Sequence, residues 1–151
     1  MLKLSKKSEY ALMAARYMAI KNHGNAVTAK EIADNYKISF ELVSKVLQNL
    51  AKNKIAISFQ GVKGGYTLKK NPFEISLIEL IQAVEPDYQI TDCLRSESPK
   101  NECSYSDCCK IRDPLAEVQR KIDKVFYETK TKITLSTWIF FGSDFMAEKT
   151  N

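Results

Sequence analysis

The segment TAKEIADNYKISFELVSKVLQNLAKN, residues 28–53, predicts two short helices joined by a tight turn. Thr28 and Glu31 have the spacing of a capping box, so the first helix begins there and runs to about Tyr36. Ser39 is predicted to cap the second helix, which runs to about Asn53. Its apolar stripe is expected to face inward: Leu42, Val43, Val46, Leu47 and Leu50. This arrangement is typical of a helix-turn-helix, although ordinary helical hairpins share it.

The residues that follow favour the helix-turn-helix interpretation, because they predict a β-hairpin. Residues 55–59 form a strand pattern, residues 60–65 a glycine-rich tip with one lysine, and residues 66–70 the returning strand. A helix-turn-helix followed by a hairpin is a winged helix, so the expected fold is mainly α with a small β-hairpin wing. In such folds the second helix enters the major groove and the hairpin touches the backbone or minor groove. A nucleotide-binding loop at the tip is disfavoured, since no helix follows it directly.

Two more helices are predicted around this unit. One spans residues 5–22 and is apolar on most sides, so its large side chains are expected to be mostly buried: Tyr10, Leu12, Met13, Tyr17, Met18 and Ile20. The other begins near Ser76 and stops before Glu85, with four side chains facing inward: Leu77, Leu80, Ile81 and Val84.

A long helix near residues 113–130 is predicted by Asp113 as its cap and Pro114 at its first position. Its apolar residues recur at a spacing that suits packing against a second copy of the chain: Leu115, Val118, Ile122, Val125 and Phe126. Packing back on its own domain is the alternative. The expected organisation is a DNA-binding domain over residues 1–85, a cysteine-rich loop over 86–112, and a dimerisation helix with a C-terminal segment over 113–141.

Composition narrows the possible functions. The 151 residues suit one domain with an oligomerisation element. The first 70 residues hold 13 basic and four acidic side chains, a net charge of +9 against −4 for the remainder. This favours a polyanionic partner, most often nucleic acid, although a solvated lysine-rich surface is the alternative. The single histidine, His23, lies in a turn-like stretch and no phosphate-binding glycine loop is present, so no enzyme is predicted.

The expected location is cytoplasmic. No apolar run approaches the roughly 18 residues needed to cross a bilayer, so no membrane association is expected. The first eight residues do not resemble a secretory signal. Thiols in that compartment are kept reduced.

All four cysteines fall within residues 93–109: Cys93, Cys103, Cys108 and Cys109. Structural thiols are usually scattered and buried, so a group in one polar loop indicates metal or redox chemistry. Thiolates suit an iron–sulfur cluster, and a thiol switch is equally open. Zinc ranks third, because paired Cys-x2-Cys motifs are absent. Neighbouring Cys108 and Cys109 diverge, so three cysteines and an outside ligand are expected.

Five motifs in this order resemble the bacterial Rrf2-type winged-helix transcription regulators, over roughly residues 1–140. They are Leu4-Ser-Lys-Lys-Ser-Glu-Tyr-Ala-Leu12, Thr28-x-x-Glu-Ile-Ala33, Ile38-Ser-x-x-Leu-Val43, Gly61-Val-Lys-Gly-Gly-Tyr66 and Cys109-Lys-Ile-Arg-Asp-Pro-Leu115. The resemblance implies a homodimer on a roughly palindromic double-stranded operator. It also implies sensing of iron–sulfur, redox or nitric oxide status through a cluster, as in the branch with IscR, NsrR and RirA. The alternative within the family is a cluster-free repressor of the cysteine-metabolism type, controlled by thiols or a partner.

The resemblance also implies a ligand set. Cys103 and Cys109 keep the family's five-residue gap before the dimer helix, and Cys93 is the implied first ligand at a longer gap. Cys108 is extra and either replaces Cys109 or acts as a redox thiol. Some members carry a histidine where this chain has Arg112, which is a very poor ligand. Glu9 of the partner protomer is then the implied fourth ligand, with pairing to Lys6 or Lys7 as the alternative, and both two-iron and four-iron clusters stay open.

DNA contacts are implied at the family's positions on the recognition helix and the wing. These are Thr28, Ser39, Glu41, Ser44, Lys45, Gln60 and Lys63. Gln60 stands where some members have an arginine, so base preference at the wing is open. A zinc-stabilised interaction module with no DNA role is the competing class outside the family.

Overall fold

Five helices and one β-hairpin make up the part of the chain that the computed structural model describes, residues 3–21, 25–95 and 109–129. In chain order they are α1 (Lys6–Lys21), α2 (Ala29–Tyr36), α3 (Phe40–Lys52), β1 (Ala56–Phe59), β2 (Gly65–Leu68), α4 (Leu77–Val84) and α5 (Arg112–Glu128). Single 3₁₀ turns lie at Pro72–Glu74 and Asp92–Leu94. The expected mainly α winged helix is confirmed, although both strands are shorter than the sequence pattern indicated.

The central contact of the core is made by small side chains of α1, which packs against α3 and α4. Its fully buried residues are Ser8, Ala11, Ala14, Ala15 and Met18. The expectation that the large apolar residues of this helix are buried is wrong for Met13 and Ile20, which are 36% and 49% exposed. Alanine allows neighbouring helices to approach closely, and Met13 and Ile20 therefore lie at the rim of the contact, whereas Met18 is buried in it.

The helix-turn-helix forms as the capping pattern predicted. The Glu31 backbone N–H donates to the Thr28 hydroxyl (3.1 Å), and the Thr28 N–H donates to the Glu31 carboxylate (2.7 Å). Lys37 then adopts a left-handed conformation (φ 54°) that ends α2 and starts the tight turn. Ser39 stands at the N-cap of α3, but its side chain forms no capping hydrogen bond.

The buried stripe of α3 is one residue narrower than expected. Val43, Val46, Leu47 and Leu50 are buried, whereas Leu42 is 42% exposed. Leu42 is rotated about 100° around the helix from Val43, which carries it to the edge of the apolar face. The prediction that Leu42 faces the core is therefore wrong.

The wing is joined to the start of α2 by backbone pairing. In the hairpin, Ala56 pairs with Leu68 and Phe59 with Gly65. Val27, just before α2, exchanges two backbone hydrogen bonds with Tyr66 (2.9 and 2.7 Å), so β2 lies between β1 and this short extension. A Cβ atom at Gly65 would lie 2.7 Å from the Val27 carbonyl oxygen, which explains the glycine.

α4 is hydrogen-bonded near its beginning both to a residue that follows the wing and to the end of α5. Ser76 and Glu79 form a second capping box, and Lys70, just after β2, donates to Glu79 (2.8 Å). The helix ends at Val84, as the following Glu85 and proline predicted. The Leu77 N–H donates to the Thr129 carbonyl (2.8 Å), so the beginning of α4 lies beside the end of α5.

α5 starts earlier than the sequence indicated. Ile111 stands at the N-cap, without a side-chain hydrogen bond, and Arg112 is the first helical residue. The prediction that Asp113 is the cap is wrong. Pro114 is the third residue of the helix, where its missing N–H is still one of the donors without an intrahelical partner, so the helix tolerates it. Within the described residues, no helix has the length and hydropathy to cross a membrane.

The capping carboxylate of Glu79 predicts a loss of stability in acid. Partial burial alone would raise its pKa, but hydrogen bonds from Lys70 and from the Ser76 N–H and hydroxyl lower the pKa from 4.5 to about 2. The charged form therefore stabilises the fold above pH 4.5, and this stabilisation is lost as the pH falls towards 2. We expect Glu79→Gln to lower the free energy of unfolding at pH 7 and to flatten its decline between pH 5 and about 2.5.

Urea unfolding at several pH values measures this dependence. Glu41→Gln, at an exposed position of α3, is the matched control and should keep the acid dependence of the wild type. Equal acid slopes for Glu79→Gln and the wild type would contradict the prediction.

Candidate nucleic-acid interface and cysteine site

One face of α3 is exposed and polar along the whole helix. Glu41, Lys45, Gln48 and Lys52 lie on it, at spacings of four, three and four residues, while the opposite side is buried in the core. A helix supported from behind and polar in front has the form required for the major groove. Of the residues predicted to contact DNA, Ser39, Glu41 and Lys45 are exposed here, and Ser44 is half-buried on the flank.

Three residues on this surface were not among the predicted contacts. Gln48 lies seven residues after Glu41, a spacing that could have identified it, and glutamine amides pair with adenine in the major groove. Phe40 and Leu42 expose apolar side chains at the first turn of α3. Such side chains suit contact with thymine methyl groups. Their hydrophobicity made them look like core residues in the sequence.

Thr28 stands at the start of α2 with its polar groups already engaged. Its hydroxyl donates to the Glu31 carboxylate (2.8 Å) and accepts from the Glu31 N–H. The hydrogen bond from the Thr28 backbone, and then the one from its hydroxyl, lower the pKa of Glu31. A carboxylate therefore occupies the positive end of this helix, and a direct contact of Thr28 with DNA stays a prediction.

The tip of the wing is exposed to solvent. Gly61 has a φ of 102°, which favours glycine, and a Cβ there would meet nothing within 4 Å. The Gly64 N–H donates to the Gly61 carbonyl (2.9 Å) and closes the turn. Gln60 and Lys63, two predicted contacts, are exposed at this tip together with Val62. The exposed cation is therefore free to approach a phosphate.

A groove of about 540 Å³ beside α3 adds further basic side chains. It is lined by residues of α1, α3 and α4, among them Lys6, Lys7, Tyr10 and Lys45. Lys6 is paired with Glu9 (2.6 Å), and this hydrogen bond and charge raise the pKa of Lys6. Glu9, the predicted fourth ligand, is thus found in the ion pair that was its alternative.

The two described cysteines lie at opposite ends of the segment before α5. Cys93 is in the 3₁₀ turn Asp92–Leu94, with its sulfur 3.3 Å from the Thr91 hydroxyl. Cys109 is half-buried three residues before α5 begins, and both thiols are free. Cys103, Cys108 and His23 lie outside the described residues. Within residues 3–21, 25–95 and 109–129, no three His, Cys, Asp or Glu side chains are grouped to hold a metal ion.

A partly buried polar network attaches the segment that carries Cys93 to α5. The Ile90 N–H donates to the Gln119 side-chain oxygen (2.9 Å), and the Gln119 amide donates to the Asp123 carboxylate (2.7 Å). The Tyr88 hydroxyl donates to the same carboxylate, and the Tyr88 ring packs at a tilt against Phe126. Burial, and then the hydrogen bond to Asp123, raise the pKa of Tyr88. The segment is therefore held on α5 at two points.

A second face of α5, next to the one that contacts the cysteine segment, exposes apolar side chains. Ile111, Val118 and Val125 are spaced seven residues apart and are all exposed, Val125 by 58%. Ile122 and Phe126 instead line a groove of about 570 Å³ between the start of α1, the end of α4 and α5. The heptad spacing of the exposed row is that of a helix packed against another helix.

Comparison with known sequences gives consistent matches. A family model described as "Rrf2: Iron-dependent Transcriptional regulator" matches residues 4–134. The HTH-type transcriptional regulator NsrR of Bacillus licheniformis is 33% identical over 114 residues, which are 76% of this chain and 78% of that protein. NsrR of Bacillus subtilis is 28% identical over 116 residues, covering 77% and 78% of the two chains.

Solved structures share the fold. CymR, the global cysteine regulator of B. subtilis, aligns with a TM-score of 0.69 and 23% identity, over 91% of this chain and 98% of that one. T. potens IscR aligns with a TM-score of 0.65 and 23% identity, over 90% and 88%. At these identities the structures establish the common architecture.

The exposed lysine of the wing predicts a uniform contribution to DNA affinity. Because Lys63 faces solvent at the open tip, it can neutralise one phosphate whatever the base sequence. Lys63→Ala should weaken binding to specific and unrelated duplexes alike and reduce the slope of log K against log salt by about one. Fluorescence anisotropy titrations over a range of salt concentrations measure this slope. Lys110→Ala changes an exposed lysine just before α5, outside the helix-turn-helix and wing, and should leave this slope unchanged. An unaltered slope for Lys63→Ala would exclude the wing contact.

Proposed function

The chain belongs to the Rrf2 family of transcriptional regulators, and on that basis we propose that it binds its operator as a homodimer and senses iron–sulfur, redox or nitric oxide status through a cysteine-ligated iron–sulfur cluster. Membership of this family makes the chain a DNA-binding regulator and not an enzyme. The observation that carries the sensing role is the placement of Cys93 and Cys109. Both lie next to α5, which also exposes an apolar row suited to a partner.

Two winged helices related by a two-fold axis would place two recognition helices on a roughly palindromic site. The exposed face of α3 would read base edges, with Gln48 and Lys45 as hydrogen-bonding groups. Lys6, Lys7 and Lys63 supply positive charge beside and beyond that face. The spacing between the two heads depends on how the α5 helices pack, so a change at α5 alters the fit to the operator.

The donor chemistry of the cysteine segment fits an iron–sulfur cluster. The proposed ligands are Cys93, Cys103 and Cys109 of one protomer and Glu9 of the other. Glu9 has to leave Lys6 to serve as a ligand, and an exposed ion pair of this kind contributes little to stability. When bound, a two-iron or four-iron cluster would supply a metal centre that is sensitive to oxygen, to nitric oxide and to iron scarcity. The chain's own part is to hold Cys93 and Cys109 at fixed places relative to α5.

Anaerobic reconstitution with iron and sulfide tests the ligand set. Alanine at Cys93, Cys103 or Cys109 should abolish iron binding, because each removes one anchoring thiolate, whereas Cys108→Ala should retain it. Glu9→Ala should keep a cluster with altered stability or absorption, since the exchangeable oxygen ligand is lost. Loss of iron in Cys108→Ala with retention in Cys109→Ala would show that the third ligand is misassigned.

The same preparation separates the competing functions. Brown protein containing iron and sulfide supports the cluster. Colourless protein whose operator affinity responds to thiol oxidation or to a partner enzyme would support the cluster-free repressor of the cysteine-metabolism type. Colourless protein containing zinc, with no affinity for DNA, would contradict the proposed function altogether.

The proposed dimer predicts that one apolar residue of α5 controls assembly. The sequence predicted a seam of Val118, Ile122, Val125 and Phe126. Val118 and Val125 are exposed in the single protomer, whereas Ile122 and Phe126 line the groove beside α1 and α4. Val125→Glu should leave the protomer folded but place an unpaired carboxylate in the seam, at a cost of several kcal/mol by order of magnitude. Sedimentation equilibrium should then show monomers at concentrations where the wild type is dimeric.

Lys124→Glu is the matched control for this variant. It introduces the same carboxylate on an exposed position of α5 that is turned away from the apolar row, and it should remain dimeric. A Val125→Glu protein that dimerises with the wild-type Kd would refute the seam.

A further inference from the structure

We propose that Gln119 is a positioning residue that fixes the Cys93 segment to α5, so that the geometry of the thiol site is coupled to the proposed dimer helix through one buried amide. The inference deepens the proposed sensing function and rests on it. It concerns this chain's own side chains and does not depend on which group the thiols bind.

Gln119 differs from its neighbours on α5. It is 5% exposed and is the only buried residue of this helix within the described part of the chain. A buried amide without partners would be costly, and here both of its polar ends are used. The side-chain oxygen accepts from the Ile90 N–H, and the side-chain nitrogen donates to Asp123. The amide is therefore a connector, with one end on the cysteine segment and the other on the helix itself.

The segment that Gln119 holds leads directly to the thiol. Ile90 is three residues before Cys93, and the 3₁₀ turn containing Cys93 packs against α5. Tyr88, two residues before Ile90, is bound to Asp123, one turn further along the same helix. Two anchor points one helical turn apart fix both the position and the direction of this stretch of backbone.

The second thiol is fixed to the same helix by the chain itself, because Cys109 is three residues before Arg112. Both thiols are therefore attached to α5, Cys93 through the Gln119 contact and Cys109 through the chain that leads into the helix. Val118, the residue before Gln119 on α5, belongs to the exposed apolar row, so adjacent residues of one helix carry the contact to the cysteine segment and the proposed seam.

The reactivity of the two thiols tests the coupling in the metal-free, full-length protein. Alkylation by iodoacetamide is followed at each cysteine by peptide mass spectrometry. Gln119→Leu removes both hydrogen bonds at similar side-chain size, and it should raise the alkylation rate of Cys93 by about fivefold or more, the factor that corresponds to one lost hydrogen bond. Cys109 should keep its wild-type rate. Gln119→Glu retains an acceptor for Ile90 but replaces the donor to Asp123 with a second carboxylate, so repulsion between the two carboxylates should also raise the alkylation rate of Cys93.

Gln82→Leu is the control, because it makes the same substitution at an exposed glutamine on α4 and should leave both rates unchanged. An unchanged Cys93 rate in Gln119→Leu, with wild-type circular dichroism, would overturn the proposal. An equal rise at Cys109 would do the same, because it would indicate general loosening of α5. If Gln119→Leu does not fold, the comparison of Gln119→Glu with the wild type decides by the same criteria. Thiol rates are measured without iron or DNA, so failure of the proposed sensing function would appear separately, in reconstitution and operator binding.

Discussion

The close approach of α1 to α3 and α4 is the constraint on which the other features of the protein depend. Ala11, Ala14 and Ala15 leave so little space between these helices that Met13 and Ile20 of α1 lie at the rim of the contact. The apolar face of α3 is buried in this contact, so only its other face is exposed to solvent. That exposed face carries the polar groups suited to DNA. α4 is held from the same side, and its far surface then receives α5.

Sequence patterns predicted this architecture where the signals are local. The capping box of Thr28 and Glu31 involves residues three positions apart, so it was predicted directly, and the helix expected to begin near Ser76 also forms there. The exposure of Met13 and Leu42 could not be predicted in this way, because hydrophobicity alone does not show which apolar side chains of a helix pack against another element. The helix start before Asp113 was missed because proline at the third position is as compatible with a helix as at the first.

In the candidate site, too, some residues could be predicted from the sequence and others depend on contacts between distant segments. Lys45 and Lys63 were predicted as DNA contacts by resemblance to the family, and the structure shows that both are exposed. Gln48 was overlooked, although its spacing from Glu41 places it on the same face. Gln119 could not have been found, since its partner Ile90 is 29 residues away and an isolated glutamine on an amphipathic helix looks like a solvated residue. Contacts between distant segments depend on how the elements pack, and this packing is difficult to predict from a single sequence.

The pairing of Val27 with Tyr66 has a consequence for how quickly DNA is recognised. Two backbone hydrogen bonds make the base of the wing continuous with the start of α2. The wing therefore meets a duplex with its base already ordered, and little conformational entropy remains to be lost there on binding. Association is then governed by diffusion and electrostatic attraction rather than by a slow ordering step. Discrimination between DNA sequences then depends mainly on the lifetime of the bound complex.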